Sequence, residues 1–374
     1  MTKNYPVKSL LFISVSFLLF ALASCKKDNS TTTKNNSQNT VVATPTTLGL
    51  YEADSGEYKE LEIAVSQIGT QTVDYGLVFD TGSGGMVIDA NGILPASMIG
   101  SNGFNFTTDS TTVNGITITN QTTELEYGVD NNTLTKVYGN LAYAAVTIGD
   151  QNGSVVIKRL PFFLYYKAEE GNGTVLLPHY FDTFGVSKEY ITFSGSAFIT
   201  SPFSYFDPGN GLTRGFKMAQ LNSANFTYDG NYVPGAVTLG LTTDDLSSSS
   251  GFIMSPMFYY AGEGYDPILS TTVTYGGKSV STQALFDTGT SGYSYIEDPN
   301  ATSNLTLLPA NTKISLVTNT NFSYTFLTGA VDNLTYVENP TNTGADFSDF
   351  SIEFFLGNEY LMDFTDNKLG LKNN

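Results

Sequence analysis

The 374-residue chain contains one cysteine, Cys25, one histidine, His179, and no tryptophan. One thiol and one imidazole cannot furnish a Cys/His zinc site, and a lone thiol cannot close a disulfide within the chain. No phosphate-binding glycine loop, dinucleotide fingerprint or heptad repeat is present. Cationic side chains are also scarce: 17 Lys and Arg face 35 Asp and Glu, for a formal charge of -18. That field repels phosphate backbones, so nucleic acid is not an expected partner. Any catalysis must be sought among the carboxylates, with neither metal nor cofactor expected.

What the chain does have is 41% hydrophobic residues, 36 Gly, 23 Tyr and 26 Phe, with only 14% of its residues charged. This is the composition of a turn-rich β protein with weakly charged polar surfaces, long enough for two domains of ordinary size. Lys3 and Lys8 precede an apolar run from Leu10 to Ala23, shorter than the roughly 20 residues a spanning helix needs. Residues 1–24 read as a signal peptide. The run ends in Leu22-Ala23-Ser24-Cys25, which resembles the bacterial lipobox and implies lipid attachment at Cys25. Residues 25–46 are too polar to pack and are expected to form a flexible tether. Lys26-Lys27-Asp28 resembles surface-export signals of Bacteroidetes lipoproteins, which implies anchorage in the outer membrane, facing the cell surface.

Beyond the tether, short alternating or apolar runs recur between turn residues: Glu60–Val65, Tyr75–Phe79, Thr112–Thr119, Ala142–Ile148, Ser154–Ile157, Ala236–Leu239, Thr271–Tyr275, Ile314–Val317 and Tyr324–Leu327. An all-β fold is expected. The sequence also repeats. Phe79-Asp80-Thr81-Gly82-Ser83-Gly84-Gly85 returns 207 residues later as Phe286-Asp287-Thr288-Gly289-Thr290-Ser291-Gly292, each copy at the end of an apolar run. Each half thus delivers one aspartate from a strand end into a turn, with Gly82 and Gly289 expected to permit the turn and Thr81 and Thr288 to brace it. Two carboxyls brought within a few ångströms share a proton, and such a pair can activate water without histidine or metal.

These residues resemble the pepsin-like, bilobal aspartic proteases, and the resemblance covers most of the chain after the tether. It implies two pseudo-symmetric β lobes, 47–200 and 201–374, with the cleft between them. Asp80 and Asp287 are then the catalytic pair, and Ser83 and Thr290 hydrogen-bond their outer oxygens. Tyr127-Gly128 falls where the family places its flap. Phe184-Gly185 and Phe355-Leu356-Gly357 resemble the segments that thread the two active-site loops, and Gly357 to Leu371 resembles the closing hairpin. The implied partner is an extended polypeptide with apolar side chains beside the cleaved bond, acted on by a monomer. The sequence departs from the family in lacking its Trp, in having Thr183 at a hydrophobic position, in carrying Asp130 at the flap tip, and in lacking disulfides and a basic prosegment.

Two other functions fit: a catalytically silent pepsin-fold peptide-binding or inhibitor lipoprotein, and a surface glycan-binding lipoprotein. The glycan reading would draw on Phe162–Tyr166 as a sugar platform, a run that reads equally as core. His179 lacks a partner nucleophile motif and reads as structural or surface; Asp244-Asp245 and Glu169-Glu170 read as solvated turns. Asp207-Pro208-Gly209-Asn210-Gly211 is a turn signal placed to join the lobes.

Overall fold

The computed structural model describes residues 43–56, 58–128, 134–303, 305–343 and 347–374. The expected signal peptide, Cys25 and most of the expected tether lie outside them, as does Asp130. Residues 43–46, expected in the tether, are among the described residues. Ala43 N–H donates to Asn210 O at 2.8 Å, and Thr46 opens the first strand, Thr46–Asp54.

Among the described residues the fold is built almost wholly of strands, with four short 3-10 turns and one four-residue helical turn at Pro340–Thr343. Alternation places the side chains. In Lys59–Ile68, Leu61, Ile63 and Val65 are fully buried while Glu60 and Glu62 stay partly exposed, so one face joins the core. Every expected run lies in strand structure, but Thr112–Thr119 is two strands. Ser110–Val113 and Ile116–Tyr127 meet at Asn114-Gly115, both with positive φ, the Asn-Gly turn that matches the twist of a two-residue hairpin.

Among the described residues, a 14-stranded sheet and an 8-stranded sheet dominate, with three small sheets beside them. The boundary expected between residues 200 and 201 does not divide the large sheet. Its middle pairs Thr46–Asp54 with Asn231–Leu241, and Thr213–Met218 then joins Asn231–Leu241 to Asn358–Asp363. The closing hairpin is present, with Asn358–Asp363 antiparallel to Lys368–Asn373.

Both sheets contain the same crossed arrangement. In the first, Gln71–Asp80 forms a hairpin with Lys59–Ile68; Thr183–Val186 then threads between Gln71–Asp80, parallel to it, and Gly84–Asp89, antiparallel to it. In the second, Lys278–Phe286 forms a hairpin with Leu269–Tyr275, and Ser348–Phe350 threads between Lys278–Phe286 and Tyr293–Glu297 with the same directions. The register makes Phe184 beside Phe79 equivalent to Phe350 beside Phe286. This corrects the second threading segment, which is Asp349-Phe350-Ser351. Phe355-Leu356-Gly357 lies beyond it, where residues 352–356 form a 3-10 turn that buries Phe354 and Phe355. Phe162, Phe163, Leu164 and Tyr165 are core, so the aromatic run offers no broad exposed platform.

Candidate active site

Each crossed arrangement ends in one copy of the repeat, and the two ends meet. Thr81 N–H donates to Thr288 Oγ1 and Thr288 N–H to Thr81 Oγ1, both at 3.0 Å. Each hydroxyl in turn donates to the opposite strand end: Thr81 Oγ1 to Phe286 O at 2.8 Å, and Thr288 Oγ1 to Phe79 O at 2.6 Å. Both threonines are buried, so the hydroxyls satisfy backbone groups that have no water nearby. Four reciprocal bonds therefore clamp the two strand ends together.

The glycines serve this closeness rather than a tight turn. A Cβ on Gly82 would lie 2.6 Å from Asp287 Cγ, and one on Gly289 would lie 2.9 Å from Asp80 Cγ. Neither takes a left-handed φ; that conformation falls three residues further on, at Gly85 and Gly292, with φ of 94° and 74°. Only hydrogen at Gly82 and Gly289 lets each loop approach the other's carboxyl.

Backbone and hydroxyl donors fix both carboxyls. Asp80 Oδ1 accepts from Gly82 N–H at 2.7 Å and Ser83 N–H at 3.1 Å, and Ser83 Oγ donates to Asp80 Oδ2. Asp287 Oδ1 accepts from Gly289 N–H at 2.8 Å and, across the junction, from Gly82 N–H at 3.1 Å. Thr290 Oγ1 donates to Asp287 Oδ2 at 2.8 Å. Burial, then the charge of Asp287 and a hydrogen bond with it, hold the Asp80 carboxyl well above the usual carboxylate range, against the opposing effect of Ser83 and Gly82. Ionising one carboxyl of such a contact opposes ionising the other, so the contact favours one shared proton.

Cavities of about 650 and 630 Å³ adjoin at the pair, and both are bordered by Asp80, Asp287, Thr290, Tyr127 and Gly128. They are two halves of one trough. Tyr127 ends the strand Ile116–Tyr127, opposite Thr135, and its ring packs on Phe181 with centroids 4.6 Å apart. Burial and the charges of Asp80 and Glu189 push the Tyr127 hydroxyl pKa up, so it remains a donor.

Besides the exposed Glu126, three acids of the larger cavity were not singled out in the sequence. Glu189 borders the larger cavity, and burial, Asp266, Asp80 and Asp287 push its carboxyl well up. Glu338 borders it at 5% exposure. Asp349 Oδ2 lies 2.7 Å from Thr290 Oγ1, on the far side of that hydroxyl from Asp287. Locating the threading segment at residues 349–351 would have pointed to Asp349. His179 lies in a separate cluster: Nδ1 meets Asp182 Oδ2 at 2.7 Å, Nε2 meets Asn91 O at 2.8 Å, and the ring stacks on Tyr75.

The sequence matches no protein-family model and no curated protein. The fold is similar to that of solved structures. An aspartic proteinase from Irpex lacteus superposes with a TM-score of 0.52 at 16% identity, covering 87% of this chain and 97% of its own. Basic 7S globulin from soybean gives 0.54 at 12% identity, covering 88% and 96%. Conglutin gamma, a basic 7S globulin from lupine seeds, gives 0.54 at 13% with the same coverage. The chain has the all-β, bilobal pepsin-like fold.

Proposed function

We propose that this protein is an aspartic endopeptidase that hydrolyses extended polypeptides with a water activated between Asp80 and Asp287. The observation that carries this reading is the reciprocal clamp, which sets two carboxyls in one hydrogen-bonded array at the floor of a trough. One carboxylate accepts the water's proton as oxygen attacks the scissile carbonyl. The other carboxyl, which holds the shared proton, donates to the carbonyl oxygen; the amine then leaves with a proton returned by the pair. Ser83 and Thr290 hold the outer oxygens so that the inner ones face the same point, and Tyr127 excludes bulk water.

The fold alone does not choose this reading, since its solved neighbours include two seed globulins as well as a proteinase. A peptide-binding protein would present the same trough. The clamp and the glycines that admit the opposite carboxyl are what favour turnover: recognition of a backbone has no need for two carboxyls in proton-sharing contact. The test is a peptide-library digest across a pH series with a statine-type inhibitor control. Cleavage at acidic pH, inhibited by statine and lost in Asp80→Asn and Asp287→Asn, supports the reading. No cleavage at any pH by folded protein would assign the trough to binding.

The same proposal places the protein in the outer membrane, tethered by lipid at Cys25, and acting as a monomer. Incorporation of labelled fatty acid that disappears in Cys25→Ser, with the protein moving from the membrane to the soluble fraction, is the expected result. Unlabelled protein with unchanged fractionation would remove the anchor.

A further inference from the structure

The hydroxyl of Thr290 stands between two carboxyl oxygens, 2.8 Å from Asp287 Oδ2 and 2.7 Å from Asp349 Oδ2. A hydroxyl has one proton to donate and lone pairs to accept with. If both carboxyls were ionised, one of the two short contacts would set oxygen lone pairs against each other with no proton between them. Both contacts are hydrogen bonds only if one carboxyl is itself a donor. Asp287 already accepts two backbone N–H groups on its other oxygen, whereas Asp349 Oδ1 is enclosed and has no partner. Asp349 is therefore the donor.

The groups around Asp349 agree. The acids whose charge acts on it are Asp287 on its own lobe's loop, Asp80 on the opposite loop and Glu338 on Leu334–Glu338, the strand beyond Tyr293–Glu297. Tyr295, which pairs with Asp349 across the strands, is a neutral hydroxyl whose own pKa is pushed up to about 12 by burial and by Glu338 and Asp349. Among the described residues, no Lys or Arg borders this cavity. Burial and the surrounding carboxyls hold Asp349 well above the usual carboxylate range.

We propose that Asp349 is a protonated positioning residue that donates to Thr290 Oγ1, which in turn donates to Asp287 Oδ2, and that its ionisation sets the alkaline limit of activity. This rests on the peptidase reading of the site. The proton balance is simple: as pH rises, Asp349 releases one proton to solvent, and two carboxylates are left competing for the single proton of Thr290. Asp287 then loses its outer hydrogen bond for part of the time and gains a second negative charge behind it. The first lobe has no counterpart, because Thr183, beside Val78, holds the register position that Asp349, beside Leu285, holds in the second.

Asparagine at 349 tests this in the full-length protein, since its amide donates to Thr290 at every pH and never ionises. In Asp349→Asn the ratio of kcat/KM at pH 7 to that at pH 4.5 rises at least tenfold. In a Thr290→Val background the same substitution changes that ratio much less. An alkaline limb that Asp349→Asn leaves where it was would overturn the proposal. A second readout needs no turnover. A carboxyl whose folded pKa is raised stabilises the fold below its unfolded pKa, and this contribution is lost as pH rises through the folded value. Asp349→Asn should accordingly lose less Tm between pH 4.5 and 7.5 than the parent does. Failure to cleave any peptide, with this Tm difference present, would remove the peptidase reading and leave the protonated Asp349 standing; an unchanged Tm profile would remove Asp349.

Discussion

The two Asp-Thr-Gly loops match where backbone meets backbone and differ where side chains meet the threading strand. Thr81 and Thr288 make mirror-image bonds, and Gly82 and Gly289 each leave room for the opposite carboxyl. Two strand ends cannot be drawn together from both sides unless each supplies the same donor, acceptor and absence of Cβ. Behind the loops the symmetry ends. Gly185 passes so close to Ser83 that a Cβ would lie 2.7 Å from its backbone carbonyl, yet Ser351 occupies the equivalent position in the second lobe. The second threading strand runs with more room for side chains, and Asp349 reaches Thr290 there. The pair is symmetric in its attachment and asymmetric in its support.

The largest effect should come from breaking the symmetric part. Gly82→Ala drives a methyl group into the Asp287 carboxyl and Gly289→Ala drives one into Asp80, so each loses at least about 10²-fold in kcat/KM, as expected for reacting groups displaced by about 1 Å. Gly82→Ala should be the worse, its contact being the shorter. Kinetics on variants checked for native circular dichroism would decide; activity within threefold of the parent would show that the carboxyls do not need this contact.

A smaller effect belongs to the clamp. Thr81→Val or Thr288→Val leaves a buried N–H and a buried carbonyl unpaired, at a cost of about 3 kcal/mol in urea unfolding. The double variant should cost less than the sum, because losing one hydroxyl already loosens the junction of strand ends that the other holds. Full additivity would mean that the two halves of the clamp act independently.

Much of this was legible in the sequence because it depends on local pattern. The Phe-Asp-Thr-Gly repeat needs only identity and spacing, and period-2 alternation identifies strands such as Lys59–Ile68 without reference to their partners. What escaped depends on register. Phe355-Leu356-Gly357 has the expected threading composition, but the strand that pairs with Lys278–Phe286 is Ser348–Phe350, a short polar segment with a Ser in place of the glycine. Asp349 was missed with it. The role of Gly82 was also hidden, since a turn glycine and a glycine that admits a distant carboxyl look the same along the chain. The polar spacer extends into the fold at Ala43 through a single backbone bond to Asn210, for which composition carries no signal.

The most direct test of the central claim, that Asp80 and Asp287 work as one proton-sharing pair, is kcat/KM for Asp80→Asn, Asp287→Asn and the double variant at the pH optimum. A unit of two groups fails when either is lost, so the account predicts that each single variant falls to the same floor and that the double falls no further. Substantial turnover in one single variant, or a double whose loss is the product of the two singles, would contradict it.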